Sequence, residues 1–183
     1  MSEKKINAPF SEEDVCELKS GEMVYITGTI YTARDAAHKR LYESLQAGEE
    51  IPMELKNNII YYLGPSPARE GQVIGSAGPT TSSRMDKYTP LLLKNGLKGM
   101  IGKGKRSVSV IDSMKENKAV YFAAIGGAGA LLSKCIKEAE VIAYEDLGTE
   151  AIRKLYVENL PAIVVIDSMG NNLYETACEE YRK

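Results

Sequence analysis

The sequence predicts an α/β fold, and three features carry that prediction. Short apolar runs alternate with amphipathic helical runs through most of the chain, Gly-rich polar loops separate them, and the apolar runs are rich in β-branched and aromatic residues. In such a fold the loops that follow the strands gather at one edge of the sheet and form the usual place for a ligand. A length of 183 residues suits one well-buried domain, expected over residues 1–183.

The elements follow in order. Ser11 opens SEEDVCELKSG, where a hydroxyl cap, early acidic residues and a closing Gly21 mark a short helix. EMVYITGTI reads as a strand. In ARDAAHKRLYESLQAG the residues Ala37, Leu41 and Leu45 recur every four positions and Gly48 ends a helix. Three strand–loop–helix units are then expected. GQVIGSAGPTTSSR leads into MDKYTPLLLKNG, LKGMIGKGKR into SVSVIDSMKENK, and AVYFAAIGG into AGALLSKCIKEAE. EVIAYEDLGTEAIRKLYVEN reads as a fourth unit, and PAIVVID as a last strand that forms a hairpin with LYE across SMGNN.

A net charge of -2 argues against nucleic acid as a partner. Cys16, Cys135 and Cys178 lie far apart with no C-x-x-C spacing, which predicts free thiols in a reducing compartment. MSEKKINAPF lacks an apolar signal core, and no apolar run approaches the roughly 20 residues that span a bilayer. A cytoplasmic protein without a membrane partner is expected.

Four loops carry candidate chemistry. In TARDAAHKR a strand hands over to a helix, so Arg34 could face a carboxylate, while Asp35 could equally be a helix cap and His38, the single histidine, an imidazole that orients a neighbouring side chain or lies on the surface. In SAGPTTSSRMDKYTP a Gly-Pro turn precedes four hydroxyls, from Thr80 to Ser83, and Arg84. That set suits an oxyanion, or alternatively a hydroxyl-rich helix cap. IGKGKRS fails the phosphate-loop pattern twice, because Leu97 stands where the first Gly is needed and Gly104 where a hydroxyl is needed. It still leaves Lys103 as a compact charge on a Gly-flanked loop. In IGGAGALL, Leu132 occupies the third small-residue position of a dinucleotide fingerprint, so its glycines are expected to allow close packing or line a pocket. Cationic and hydroxylic loops converging at strand ends favour a small dianionic ligand.

GTIYTARDAAHKR, GPTTSSRMDKYTP, GMIGKGKRS, AAIGGAGALL and EDLGTEAIRKLYVENLPAIVVIDSMGNNLYE together resemble, in this order, the β subunit of class I iron-sulfur fumarate hydratases and the related L-tartrate dehydratases. The resemblance implies a single swivelling β/β/α domain, and a lyase that reversibly adds water to a small dicarboxylate with a four-iron four-sulfur cluster as Lewis acid. It places the cluster on a separate α subunit, with no metal on this chain, in an assembly expected to be a dimer of αβ pairs. Residue by residue it implies that Arg34 and Arg84 bind substrate carboxylate, that Lys103 adds charge and that Thr80 is the catalytic base. Asp35, His38 and Asp86 are expected to orient the arginines. Lys105 departs from the asparagine common after the family's KG pair. Fumarate is the expected substrate, with tartrate and mesaconate as alternatives and an anion-binding regulatory domain as the non-enzyme reading.

Overall fold

The computed structural model describes residues 4–124 and 127–180. Seven strands form one mixed sheet in the order β1-β2-β3-β4-β5-β7-β6. They are β1 (Lys4–Ala8), β2 (Met23–Thr32), β3 (Ile59–Tyr61), β4 (Gly99–Gly102), β5 (Val120–Ala123), β6 (Ile136–Ala143) and β7 (Ile152–Ile166). β2 also pairs with β7, so β2, β3, β4, β5 and β7 close into a ring of pairings. β2, β3, β4 and β5 run parallel, whereas β7 is antiparallel to β2, β5 and β6.

Strand alternation divides the core in two. Ile59, Tyr61, Leu63, Ile101 and Phe122 point into one buried cluster with Ile26, Leu155 and Val164 from β2 and β7. Their neighbours Ile60, Tyr62, Met100 and Tyr121 point to the other face, against Ala37, Leu41, Leu92, Val110 and Met114 of the helices. A helical layer therefore rests on a sheet whose opposite face is filled by its own closing strands, which is the expected β/β/α layering.

The helices are α1 (Glu12–Cys16), α2 (Asp35–Ala47), α3 (Thr89–Lys94), α4 (Val108–Asn117), α5 (Gly129–Leu132) and α6 (Leu173–Glu180). Ser11 and Asp14 form a reciprocal capping box on α1. Gly48 closes α2 in the left-handed conformation, and Ala37 and Leu41 are fully buried, as their spacing predicts. None of the described helices is long and apolar enough to cross a membrane.

Four expectations are corrected. GQVIG forms no strand: the parallel strand before the Thr80 loop is β3, and residues 64–79 are an irregular excursion after it. AGALLSKCIKEAE makes only the short α5 and a 3₁₀ turn at Ser133–Cys135 before Ile136 enters β6, because pairing with β7 overrides its helical propensity. AIRKLYVEN, expected as a helix, is the first half of the 15-residue β7. Its buried positions Ile152, Leu155, Val157 and Leu160 are spaced by three, two and three. β2 advances from Ile26 to Gly28 while β7 advances from Leu160 to Val157, so β7 holds one extra residue there, near Asn159 with its positive φ of 49°. The bulge sets the Val157–Leu160 step, and the Ile152–Leu155 step arises because Ile152 faces the helical layer and Leu155 the opposite core; together they imitate a helical period. LYE likewise does not close a hairpin; it opens α6 after the isolated Ile166–Asn172 bridge.

Candidate functional site

The parallel course of β2, β3 and β4 sends their carboxyl ends to the same side of the sheet. β2 ends at Thr32, and Arg34 is the N-cap of α2, in extended backbone with no capping side chain of its own. The cap comes from a distant loop: Glu150 accepts the Ala36 N–H through Oε2 at 2.9 Å. This frees Asp35 from capping. Its Oδ1 lies 2.7 Å from Arg84 Nε and its Oδ2 lies 3.7 Å from Arg34 Nη2, so one carboxylate bridges the two arginines. Glu150 Oε1 approaches Arg34 Nη2 from the other side at 3.4 Å.

The second and third loops are stitched together by main chain. Thr80 donates its N–H to Tyr62 O at 2.8 Å, Lys103 donates to Thr80 O at 3.3 Å, and Ser82 donates to Lys103 O at 2.9 Å. A parallel bridge pairs Thr81 with Lys103. Ser82 is buried and its Oγ lies 2.9 Å from Tyr121 Oη, so the hydroxyl run is not uniformly available to a ligand. The backbone groups of Thr80 are used in this ladder, and its half-buried side chain remains. Arg34, Arg84, Thr80 and Lys103 are thus brought to one edge: the arginines through Asp35, Thr80 and Lys103 through the ladder.

The electrostatics favour an anion. Three cations against Asp35 and Glu150 leave one excess positive charge. Arg34 Nε and Asp35 Oδ2 are buried without a hydrogen-bond partner in the protein. Buried polar groups are ordinarily satisfied, so an arginine with an idle donor beside a half-exposed Arg84 has capacity for a bidentate carboxylate. A cavity of about 590 Å³ lies between residues 65–75 and β6–β7, but none of Arg34, Thr80, Arg84 or Lys103 lines it. The cradle is an open surface, with Lys103 and Arg84 exposed.

Gly64 is a contributor that sequence reasoning missed. A β-carbon there would stand 2.6 Å from Arg34 Nη1 and 2.9 Å from its Cδ. Only the absence of a side chain gives the guanidinium its place. Gly64→Ala should leave stability close to the parent, since the end of a flexible side chain can yield. It should displace Arg34 and weaken binding of a small dianion such as succinate about tenfold, a loss of roughly 1.4 kcal/mol, readable by calorimetric titration. Gly129 has a related role: a β-carbon there would stand 2.9 Å from Gly78 N, at the base of the Thr80 loop, so it serves close packing. Ile125 and Gly126 of the IGGAGALL loop lie outside the described residues.

His38 is fully buried, its ring edge-on to Tyr62 with centroids 5.2 Å apart. Its Nδ1 lies 2.9 Å from Arg34 O, a carbonyl that can only accept, so Nδ1 carries the hydrogen and Nε2 is left without a partner. Burial, partly opposed by that hydrogen bond, pushes the imidazole down from 6.5 to about 4. The unfolded chain therefore takes up the proton first. The contribution of His38 to stability is fully present above pH 6.5 and is lost as the pH falls towards 4, at up to about 1.4 kcal/mol per pH unit. Replacing it with a non-titrating amide, His38→Gln, should flatten the acid limb of stability by that one-proton slope in urea denaturation between pH 7.5 and 4.5. Equal slopes for parent and variant would contradict the assignment.

Asp86, expected to orient Arg34 and Arg84, instead binds Arg106. Arg106 Nε donates to Asp86 Oδ1 at 2.7 Å, and Ser107 N–H donates to Asp86 Oδ2 at 2.7 Å. Glu150 and Arg106 had no local signature: one works across the fold from a polar loop, and the other looks like part of a basic surface loop.

A model of the family described as fumarase C-terminus matches residues 2–177. The chain belongs to this family. It is 43% identical over 152 residues to the anaerobic class I fumarate hydratase of Escherichia coli strain K12, covering 82% of this chain and 28% of that protein. Fumarate hydratase 2 of Leishmania major is 41% identical over 84% of the chain and 28% of its own length. A protein of Methanocaldococcus jannaschii provisionally named as an L(+)-tartrate dehydratase subunit beta is 38% identical over 90% of the chain and 88% of its own length. This fumarase C-terminal chain thus spans 28% of the two fumarate hydratases but most of the separate β subunit.

The family expectation of an iron-sulfur cluster meets a poor ligand set here. Among the described residues no three His, Cys, Asp or Glu side chains are grouped to hold a metal ion. Cys16 is exposed on α1, and Cys135 is half-buried with its thiol directed at Asn159 O. The Cys178 side chain lies outside the described residues. The described thiols do not fit cluster ligation.

Proposed function

We propose that this chain is the β subunit of a two-subunit hydro-lyase that reversibly hydrates fumarate to L-malate. One observation carries the reading: Arg34 and Arg84 share Asp35, with an idle Arg34 donor, beside the backbone ladder that joins Thr80 to Lys103. A four-iron four-sulfur cluster would be held by an α subunit, because the described thiols of this chain do not fit it. The oligomer is a dimer of αβ pairs, working in the reducing cytoplasm.

Arg34 and Arg84 grip a substrate carboxylate as paired planar donors. In the dehydration direction Thr80 takes the proton from the carbon beside a carboxylate, which adds negative charge to that carboxylate. The cations stabilise this charge where it develops. The electron pair then forms the carbon–carbon double bond as hydroxide leaves the neighbouring carbon, a departure that a cluster on the α subunit would assist as Lewis acid. A threonine hydroxyl is a weak base, and the adjoining Lys103 and Arg84 favour its deprotonated form. In the hydration direction the same proton is returned to carbon.

L-tartrate dehydratase is the second reading, favoured by the near-full-length match to a separately encoded β subunit. Mesaconate differs from fumarate by one methyl and tartrate from malate by one hydroxyl, differences that a few contacts can discriminate. The chain copurified with its α partner under anaerobic conditions should turn over fumarate with a higher kcat/KM than tartrate or mesaconate. Preference for tartrate would replace the first reading with the second, and no turnover of any of the three would overturn both.

A further inference from the structure

We infer that Arg106 is a positioning residue, one that fixes the Thr80–Arg84 turn against the Lys103 loop. Its side chain is wholly buried, yet it lies three residues after Lys103. The guanidinium is shared among three segments. Nε donates to Asp86, two residues after Arg84; Nη2 donates to Thr89 Oγ1 at 2.9 Å; Nη1 donates to Tyr62 Oη at 3.2 Å. Asp86 returns the tie by accepting the N–H of Ser107.

Tyr62 carries the effect to the remaining site residues. Its carbonyl accepts the N–H of Thr80, and its ring packs edge-on against His38, whose Nδ1 binds Arg34 O. Arg106 also stacks beneath Tyr121 and Tyr62, with its Cζ 5.1 and 5.3 Å from their ring centroids. Tyr121 Oη in turn binds Gly104 O at 2.8 Å and Ser82 Oγ. The arginine therefore sits under both loops without belonging to the open surface.

A buried ion pair adds little stability compared with apolar residues that fill the same space, so retention of one here requires another reason. Its fork geometry supplies one. A planar guanidinium fixes three acceptors at set angles, which a lysine ammonium cannot do. The fork holds the spacing between Thr80 and Lys103 that the proposed reaction uses.

The kinetic part of this inference rests on the proposed hydro-lyase; the exchange part does not. Amide hydrogen exchange on the full chain should show Arg106→Lys and Arg106→Met losing at least tenfold protection at the Ser82 and Lys103 amides, while β2 and α2 keep theirs. Asp86→Asn, which keeps one acceptor oxygen and leaves the Arg106 bonds to Thr89 and Tyr62 in place, should lose less. In the complex with its α partner, Arg106→Lys should raise KM for dicarboxylate about tenfold, with a smaller fall in kcat per folded site. Unchanged protection at Ser82 and Lys103 in a folded variant would overturn the inference. So would loss of protection throughout the sheet in both Arg106→Lys and Asp86→Asn, which would make the arginine a determinant of the whole fold. If the parent complex turns over no dicarboxylate, the proposed function fails and the exchange pattern alone decides the role of Arg106.

Discussion

Thr80→Ala is expected to reduce kcat of the αβ complex by about 10³-fold while dicarboxylate affinity changes less than threefold, within the span usual for removal of a general acid–base group. The separation of the two effects follows from the site's construction. Thr80 contributes its backbone to the ladder through Tyr62 O and Lys103 N, and alanine keeps both bonds. Only the hydroxyl leaves. Thr81, the adjacent hydroxyl, is exposed, and Thr81→Ala should retain most of the activity. A Thr80→Ala complex with near-parental kcat would remove Thr80 as the base, and a large rise in KM alone would recast it as a binding residue. Steady-state kinetics with calorimetric binding of succinate, a dicarboxylate that cannot be hydrated, distinguishes these outcomes.

Arg34→Ala is expected to weaken succinate binding about 100-fold, and Arg84→Ala about tenfold, with kcat/KM falling at least as far. The difference comes from burial. Arg34 has a side chain 19% exposed and is flanked by two carboxylates, whereas Arg84 is 51% exposed and its ion pair is screened by water. A hydrogen bond to a charged group contributes roughly 1.5–3 kcal/mol, and the larger part of that range applies to the drier arginine. Removing Arg34 also leaves Glu150 without its ion-pair partner, while Asp35 keeps Arg84 alone. Parental affinity in Arg34→Ala would place the carboxylate elsewhere.

The parts legible in the sequence were those governed by neighbours in the chain. The Ser11 capping box, the Gly48 stop and the Ala37–Leu41 stripe are local signals, and the structure has each of them. Arg34, Arg84 and Lys103 stand out as cations on loops at strand ends, whereas only the family resemblance sets Thr80 apart from Thr81, Ser82 and Ser83. The parts that were not legible depend on distant pairing. β3 is three residues long and its register comes from β2 and β4, while the bulge near Asn159 disguises β7. Gly64 matters only because Arg34 passes over it, and Glu150 caps a helix more than 100 positions earlier in the chain.

The proposed hydro-lyase requires these loops to form one half of a dicarboxylate site completed by an α chain. The decisive measurement is anaerobic conversion of fumarate to L-malate by this chain, by its α partner loaded with cluster, and by the two combined. Turnover only in the combination, abolished by Thr80→Ala, is the predicted result; full turnover by the α partner alone, or none by the assembled, cluster-loaded pair, would contradict it.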